Sequence, residues 1–114
     1  MTECIFCNII AGKRPATIVY RDEQVTAFRD IHPVAPTHIL VVPNRHIASV
    51  NEMTEQDEPL IGHLFSVAHQ IAKDEGVDQS GYRLIINNGP HAGQAIFHLH
   101  LHVIGGKRMH FSMG

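Results

Sequence analysis

No run of apolar residues in this chain approaches the roughly 20 that a membrane-spanning helix needs. The opening residues, Met1-Thr2-Glu3-Cys4, also lack the basic and apolar regions of a secretory leader. No membrane partner is therefore expected, and a cytoplasmic location is the expectation. Cysteine is scarce: Cys4 and Cys7 are the only two, and in a reducing compartment they are expected as thiols rather than a bridge. Charge of either sign is not in excess, with 9 Lys and Arg against 11 Asp and Glu and a net charge of −2. That balance gives no basic surface to coat a polyanion, so no nucleic-acid partner is expected. Any phosphate would be met locally, by histidines and backbone amides. Internal repeats, low-complexity tracts and linkers are missing as well. Residues 1–114 read as a single domain with one core.

Histidine is abundant. Ten are present, so mild acid changes the net charge. Three of them stand in Phe97-His98-Leu99-His100-Leu101-His102-Val103-Ile104, each separated from the next by one apolar residue. Side chains alternate between the two faces of a strand. This spacing puts His98, His100 and His102 on one face and Leu99, Leu101 and Val103 on the other. A strand that had only to bury one side would use Thr, Ser or Lys opposite. A row of imidazoles instead offers a nucleophile, an acid, a base or metal ligands.

Periodicity places the remaining elements. Ile5, Phe6, Ile9 and Ile10 have helical spacing over 5–10, ended by Gly12. Strands follow at 17–20 and 25–30 around a turn at 21–23, then a loop with two prolines over 31–37 and a buried strand at 38–43. The long helix spans 54–75. Thr54 and Asp57 form a weaker, Asp-type capping box at its start, and Gly76 supplies its C′ position. Leu60, Leu64, Val67 and Ile71, with Ile61, Phe65, Ala68 and Ala72, make an apolar stripe broader than one small sheet requires. Part of that helix is therefore expected to meet a partner subunit. Strands at 82–87 and 97–104 complete an α-β-β-β-α-β-β order, an α+β domain with a largely antiparallel sheet.

Around the histidine strand lie further candidates. In the loop before it, Gly93 can take positive φ and turn amides toward an anion, Gln94 can donate through its side chain, and Asn87 ends the preceding strand. His38 opens the 38–43 strand and matters chemically only if that strand neighbours the histidines. Cys4-Ile5-Phe6-Cys7 is half of a zinc site, with His46 and one of the three spaced histidines available to complete it. A redox role is disfavoured because no strand precedes it. His32, His63, His69 and His91 carry no spacing argument, and Met109, His110 and Phe111 form a tail suited to docking.

The run His98-Leu99-His100-Leu101-His102-Val103-Ile104 resembles the motif of the histidine triad (HIT) family. Asp30-Ile31, Ala35-Pro36-Thr37-His38, Val42-Pro43, Arg45-His46-Ile47, Gly93-Gln94 and Gly105-Gly106 with Met109-His110 extend the likeness to its Hint branch. The resemblance implies a nucleotide-binding fold that dimerises, joining two five-stranded, mainly antiparallel sheets through the long helix and a strand. It also implies hydrolysis of purine nucleoside phosphoramidates (AMP-amines or related adenylates, AMP/GMP-type ligands) at the α-phosphorus through a nucleotidyl-histidine. His100 matches the nucleophile, and His102, His98 and His38 match its supporting histidines. The other ring nitrogen of His100 must then be held by an acceptor, a main-chain carbonyl being the natural one.

Further positions carry over in the same way. Asp30 matches the acceptor of the ribose hydroxyls, and Ile5, Phe6, Ile9, Phe28, Ile31 and Leu40 match the nucleoside wall. Asn87, Gly93 and Gln94 match the phosphate contacts. Ala95 stands where animal Hint proteins have Ser, which leaves only a backbone amide to donate there. A zinc site like that of some relatives would use Cys4, Cys7, His46 and His98, and four protein ligands make such a zinc structural, with no cofactor required for catalysis. Three rival readings stand beside this one: a Fhit-like hydrolase of dinucleoside polyphosphates, a non-catalytic nucleotide-binding scaffold dimer, and a metal-storage or metal-sensing protein.

Overall fold

The computed structural model describes residues 4–110. After helix α1 (Ile5–Ile10) come strands β1 (Ile18–Arg21), β2 (Val25–Arg29) and β3 (Thr37–Pro43). Helix α2 (Glu58–Asp74) follows, then β4 (Tyr82–Ile85) and β5 (Leu101–Gly105). The strands form one sheet in the order β1-β2-β3-β5-β4, and every neighbouring pair is antiparallel. This is the α+β architecture expected, with β5 inserted between β3 and β4. That insertion sets the His38 strand beside the histidine strand.

The two faces of the sheet carry different loads. Ile39 and Val41 of β3, Val25 and Ala27 of β2, and Leu99, Leu101 and Val103 pack against Leu60, Leu64, Val67, Ala68 and Ile71 on one face of α2. Leu64 is fully buried, and truncating such a leucine to alanine costs about 2–5 kcal/mol. On the opposite sheet face, Phe28, Leu40 and Val42 pack against Phe6 and Ile9 of α1. The register Leu40↔His102 puts His102 on this second face.

Three boundaries differ from the sequence expectation by two residues or more, and the others by at most one. The helix expected over 54–75 begins with a separate 3-10 turn, Glu55–Asp57, before α2. The Thr54 N–H donates to Asp57 Oδ2 at 2.9 Å, the Asp form of the capping box. The strand expected over 82–87 stops at Ile85. The strand expected over 97–104 joins the sheet only at Leu101, so His98 and His100 precede its ladder. Extending the register, Leu99 and His100 would oppose Pro43 and Val42. Proline has no N–H to give, and the Pro43 carbonyl accepts from the His98 ring instead. Residues 97–100 are held instead by a single backbone bond, Leu99 N–H to the Ile47 carbonyl at 2.7 Å. Side-chain alternation persists nonetheless, with Leu99 on the α2 side and the His98 and His100 rings against Phe6.

At the end of α2, Gly76 takes φ 75°, the left-handed position that suits glycine after a helix. Glu75, beside it, receives a two-pronged bond from Arg29 (3.1 and 2.8 Å) and the Thr37 hydroxyl (3.1 Å), tying α2 to β2 and β3. Gly105 has no room for a side chain, because a Cβ there would stand 3.0 Å from that of Val77.

Candidate active site

A cavity of about 350 Å³ opens on the α1 side of the sheet. Its wall is built by Ile5, Phe6 and Ile9 of α1, Phe28 and Leu40 of the sheet, and Ile31, with Asp30 at the edge. All the residues matched to the nucleoside wall and the ribose acceptor therefore gather in one place. His100 and His102 line the same cavity. So do Arg14, Pro15, Ala16, His32 and Ile96, which carry no spacing signal and are brought in by the turn after α1, the loop after β2 and the approach to β5. A larger groove, about 790 Å³, runs past Glu75, Tyr82 and Lys107, but no histidine lines it.

The hydrogen bonds determine where each ring proton sits. His100 Nδ1 lies 2.7 Å from the main-chain carbonyl of His98. A carbonyl only accepts, so Nδ1 carries the hydrogen and Nε2 keeps a free electron pair. This is the carbonyl holder expected for a nucleophilic imidazole. Burial lowers the His100 pKa against the weaker opposing pull of the His98 carbonyl and Asp30, so the ring is neutral.

A second chain of bonds starts at the Val34 N–H, which donates to His38 Nδ1 at 3.2 Å. The hydrogen of neutral His38 is then on Nε2, and it donates to His102 Nδ1 at 2.9 Å. The hydrogen of His102 is left on Nε2. Among the described residues, this is the one buried side-chain nitrogen or oxygen without a partner. Leaving a buried donor unsatisfied costs about 1–3 kcal/mol, and an anion in the cavity would satisfy it. Burial, then the neighbouring His100 and His38, push the His102 pKa down to about 4, so it donates as a neutral ring. Burial lowers the His38 pKa too, against the pull of Asp30.

Asp30 accepts from the His32 N–H at 2.8 Å and approaches His38 Nε2 at 3.4 Å, with lone pairs left over for a ligand. Asp30, His38 and His102 lie close enough together to suggest a metal site. Their protonation opposes it. A metal on His38 Nε2 would drive the ring hydrogen onto Nδ1, directly against the Val34 N–H.

His98 corrects an expectation. Its ring is fully buried and does not line the cavity, so it is not placed to donate to a substrate phosphate. Nε2 donates to the Pro43 carbonyl at 2.8 Å, which leaves the electron pair on Nδ1. That pair faces Cys4 Sγ at 3.3 Å, Cys7 Sγ at 3.5 Å and His46 Nδ1 at 3.2 Å. Cys7 Sγ and His46 Nδ1 are 3.4 Å apart. Tetrahedral zinc with ordinary bond lengths separates two nitrogens by about 3.3 Å and nitrogen from sulfur by about 3.5 Å. The donor set and spacing therefore fit zinc. Cys4 Sγ also accepts from the Cys7 N–H at 3.3 Å, capping α1 as a serine would. Burial and the adjacent Cys4 sulfur push the Cys7 thiol up to about 11.

The sequence pattern of the HIT domain matches residues 11–109. The chain belongs to the histidine triad family. It is 49% identical over 105 residues to the purine nucleoside phosphoramidase of Escherichia coli K12, covering 92% of this chain and 88% of that protein. In structure it resembles the HIT family hydrolase of Legionella pneumophila Philadelphia 1, with a TM-score of 0.96 and 42% identity over 98% of this chain and 100% of that one. A HIT family hydrolase from Clostridium thermocellum gives a TM-score of 0.96 and 43% identity over 99% and 98%.

In this HIT protein the loop before the histidines is organised differently from expectation. Gly93 has φ 85°, the positive value anticipated for it. Gln94, expected to donate its side-chain amide to phosphate, is buried, and both amide hydrogens are used by the carbonyls of Ala48 (2.9 Å) and Ile96 (3.1 Å). Its Oε1 accepts from the Gly89 N–H at 2.8 Å. Gln94 therefore shapes the loop from within and has no side-chain hydrogen free for a ligand. The Ala95 N–H makes no hydrogen bond among the described residues. Asn87, Gly93, Gln94 and Ala95 stand outside the cavity lining, and Ile96 is where this loop enters it.

Elsewhere, His63 is not a free surface residue: its Nε2 meets Asp22 Oδ2 at 2.7 Å. His69 and His91 are exposed. In the tail, Met109 is half-buried and His110 exposed, while Phe111 lies outside the described residues.

Proposed function

We propose that this HIT protein hydrolyses purine nucleoside phosphoramidates, with His100 as nucleophile. The observation that carries this reading is the pair of complementary ring nitrogens in one cavity: an electron pair on His100 Nε2 and an unsatisfied N–H on His102 Nε2. One atom can attack phosphorus while the other meets the charge growing on a non-bridging oxygen. The name of the Escherichia coli relative and the closeness of the two sequences support the same substrate class.

In this mechanism the base lies among Ile5, Ile9 and Phe28, and Asp30 accepts from both ribose hydroxyls. Such a wall holds any purine by dispersion, so AMP- and GMP-type ligands both fit. His100 Nε2 forms a bond to the α-phosphorus as the P–N bond breaks. The departing nitrogen takes one proton, which the neutral His102 ring hands over as the His102–His38 pair draws one from solvent, so neither ring is left anionic. Water then attacks the nucleotidyl-histidine and frees His100, and the proton it loses returns to solvent by the same pair. The Ala95 amide adds a further donor to phosphate, with Gly93 and Asn87 setting the course of the loop.

Three companion proposals belong to this reading. Cys4, Cys7, His46 and His98 hold a zinc ion, which when bound supplies structure and leaves no open position for water. The chain forms a homodimer across the outer edge of β4, where Leu84 is 37% exposed and Phe65 of α2 41% exposed. A reducing, cytoplasmic setting suits two metal-ligating thiols.

The test compares turnover of an adenosine phosphoramidate with that of a diadenosine polyphosphate, and traps the intermediate by rapid quench. The expected result is faster P–N cleavage and one nucleotide attached to His100. His100→Ala should lower turnover by about 10⁴-fold or more while still binding AMP. Rapid hydrolysis by that variant would remove His100 as the nucleophile.

A further inference from the structure

His98 takes part in two arrangements at once. Its ring nitrogen Nδ1 completes the group formed with Cys4, Cys7 and His46. Its main-chain carbonyl, in the same residue, holds the Nδ1 hydrogen of His100. We propose that His98 is a positioning residue, through which a metal ion bound at its ring aims the His100 nucleophile. This rests on the zinc reading above and goes beyond it, because it makes the metal a determinant of rate as well as of fold.

Two observations carry the proposal. The first is how little else holds this segment. Residues 97–100 lie outside the sheet ladder, and Leu99 contributes one backbone bond there. The His98 carbonyl shares its peptide plane with the Leu99 N–H, so its direction is set by that one bond to Ile47, the neighbour of His46, together with the anchors of the His98 ring, which are the Pro43 carbonyl and the thiol-imidazole group. Without a cation, that group crowds two sulfurs and two imidazole nitrogens together, and thiols are weak hydrogen-bond donors. A cation turns the crowding into four bonds.

The second observation is on the other side of His100. Its ring packs edge-on against Phe6, with centroids 5.2 Å apart and planes at 90°. Phe6 lies between Cys4 and Cys7 on α1 and also touches the His98 ring, at 5.9 Å. The same four ligands thus fix both the hydrogen-bond acceptor of His100 and the aromatic ring against it. Small displacements of such supports reach the reacting atom.

His46 is the residue to vary, since it is exposed, does not line the active-site cavity and does not touch His100. Full-length wild type, His46→Ala and His46→Cys are loaded with Co²⁺, and thiolate-to-cobalt absorption reports the site. Steady-state kinetics are measured with an adenosine phosphoramidate, and the hydrogen-bonded Nδ1–H of His100 is followed by NMR. Loss of metal in His46→Ala should lower kcat roughly ten- to a hundred-fold, with a smaller rise in KM, because α1 loosens while Phe28, Leu40 and Ile31 stay in place. The His100 signal should exchange out, and His46→Cys should restore metal, signal and kcat together. Chelation and reloading of the wild type gives the same comparison without a substitution.

Metal loss that leaves kcat and the His100 signal intact would overturn the proposal and leave the zinc site as a fold anchor only. A rise in KM at constant kcat would overturn it too, since the metal would then act through α1 and the nucleoside wall alone. Failure of the wild type to bind metal would overturn it together with the zinc reading. Phosphoramidase turnover in the same preparation would show that the proposed function survives.

Discussion

His38 Nε2 stands 2.9 Å from His102 Nδ1, reaching diagonally across the β3–β5 ladder from the neighbouring pair His38↔Ile104. The contact transmits the Val34 N–H, through one ring, to the tautomer of the next. His102 is thereby set to present N–H, and not a lone pair, to the cavity. The strand order of the sheet thus decides the chemical character of a nitrogen on the neighbouring strand.

His102→Ala removes the unsatisfied donor, and kcat should fall about 10²–10³-fold, the usual effect of losing one donor to a developing oxyanion. His38→Ala should cost less, because His102 keeps its ring. In the double variant the His38 effect should largely vanish. Steady-state kinetics on the three variants check this; two independent, multiplying losses would show that the rings do not act in series.

Asp30→Asn replaces two acceptor oxygens by one acceptor and one donor. Ribonucleotide binding should weaken by about 1.5–3 kcal/mol, the range for hydrogen bonds to a charged group. Binding of the 2′-deoxy analogue should change less. Calorimetric titration with AMP and dAMP reads the difference, and a ribose preference that survives the substitution would place the hydroxyl acceptor elsewhere.

Acid should destabilise the fold through its buried histidines. Burial lowers the pKa of His38, and burial with neighbouring imidazoles takes His102 to about 4. The unfolded chain binds these protons near the ordinary histidine value of about 6.5, whereas the native chain does not. Between about pH 6.5 and 4 the unfolded state therefore holds more protons, and stability falls as pH falls. Thermal melts across that range should show Tm descending, with a smaller slope in a His38→Gln, His102→Gln double variant.

Asp22 forms a clamp far from the cavity. Tyr20 donates to it at 2.6 Å, His63 meets it at 2.7 Å, and the N–H groups of Gln24 and Val25 reach it at 2.8 Å each. Burial acts to raise its pKa, but the four hydrogen bonds outweigh it and hold the carboxyl well below the usual range. Its contribution is therefore complete above about pH 3.9 and is lost only as the pH falls through the lower native value. Asp22→Asn should cost about 1–3 kcal/mol and His63→Ala about 1 kcal/mol, read as shifts in the urea midpoint with unchanged m. Turnover should stay near that of the wild type.

Local pattern accounts for much of what was legible in advance. The 3.6-residue stripe of α2, the Thr54–Asp57 box, Gly76 and the two-residue alternation of leucines and histidines are properties of neighbours in the chain. They need no knowledge of the rest of the fold. The wall residues Ile5, Phe6, Ile9, Phe28, Ile31 and Leu40 were placed by family likeness and gather around one cavity. Arg14, Pro15 and Ala16 were missed because a turn brings them there, and no spacing marks it.

The sequence by itself determined which side chains share a face, because pleat and helix periods are built into the backbone. It also determined the chemistry available: imidazoles in a row, two thiols a helical turn apart, a carboxylate before a proline-containing loop. Only the tertiary structure decided how those groups are used. It ended the ladder at Leu101 because Pro43 has no N–H to donate, turned His98 away from the cavity toward the thiols, and used up the Gln94 amide on two carbonyls. The reason is physical: a ring's tautomer and a donor's availability depend on which partner lies within 3 Å, and those partners come from segments remote in the chain.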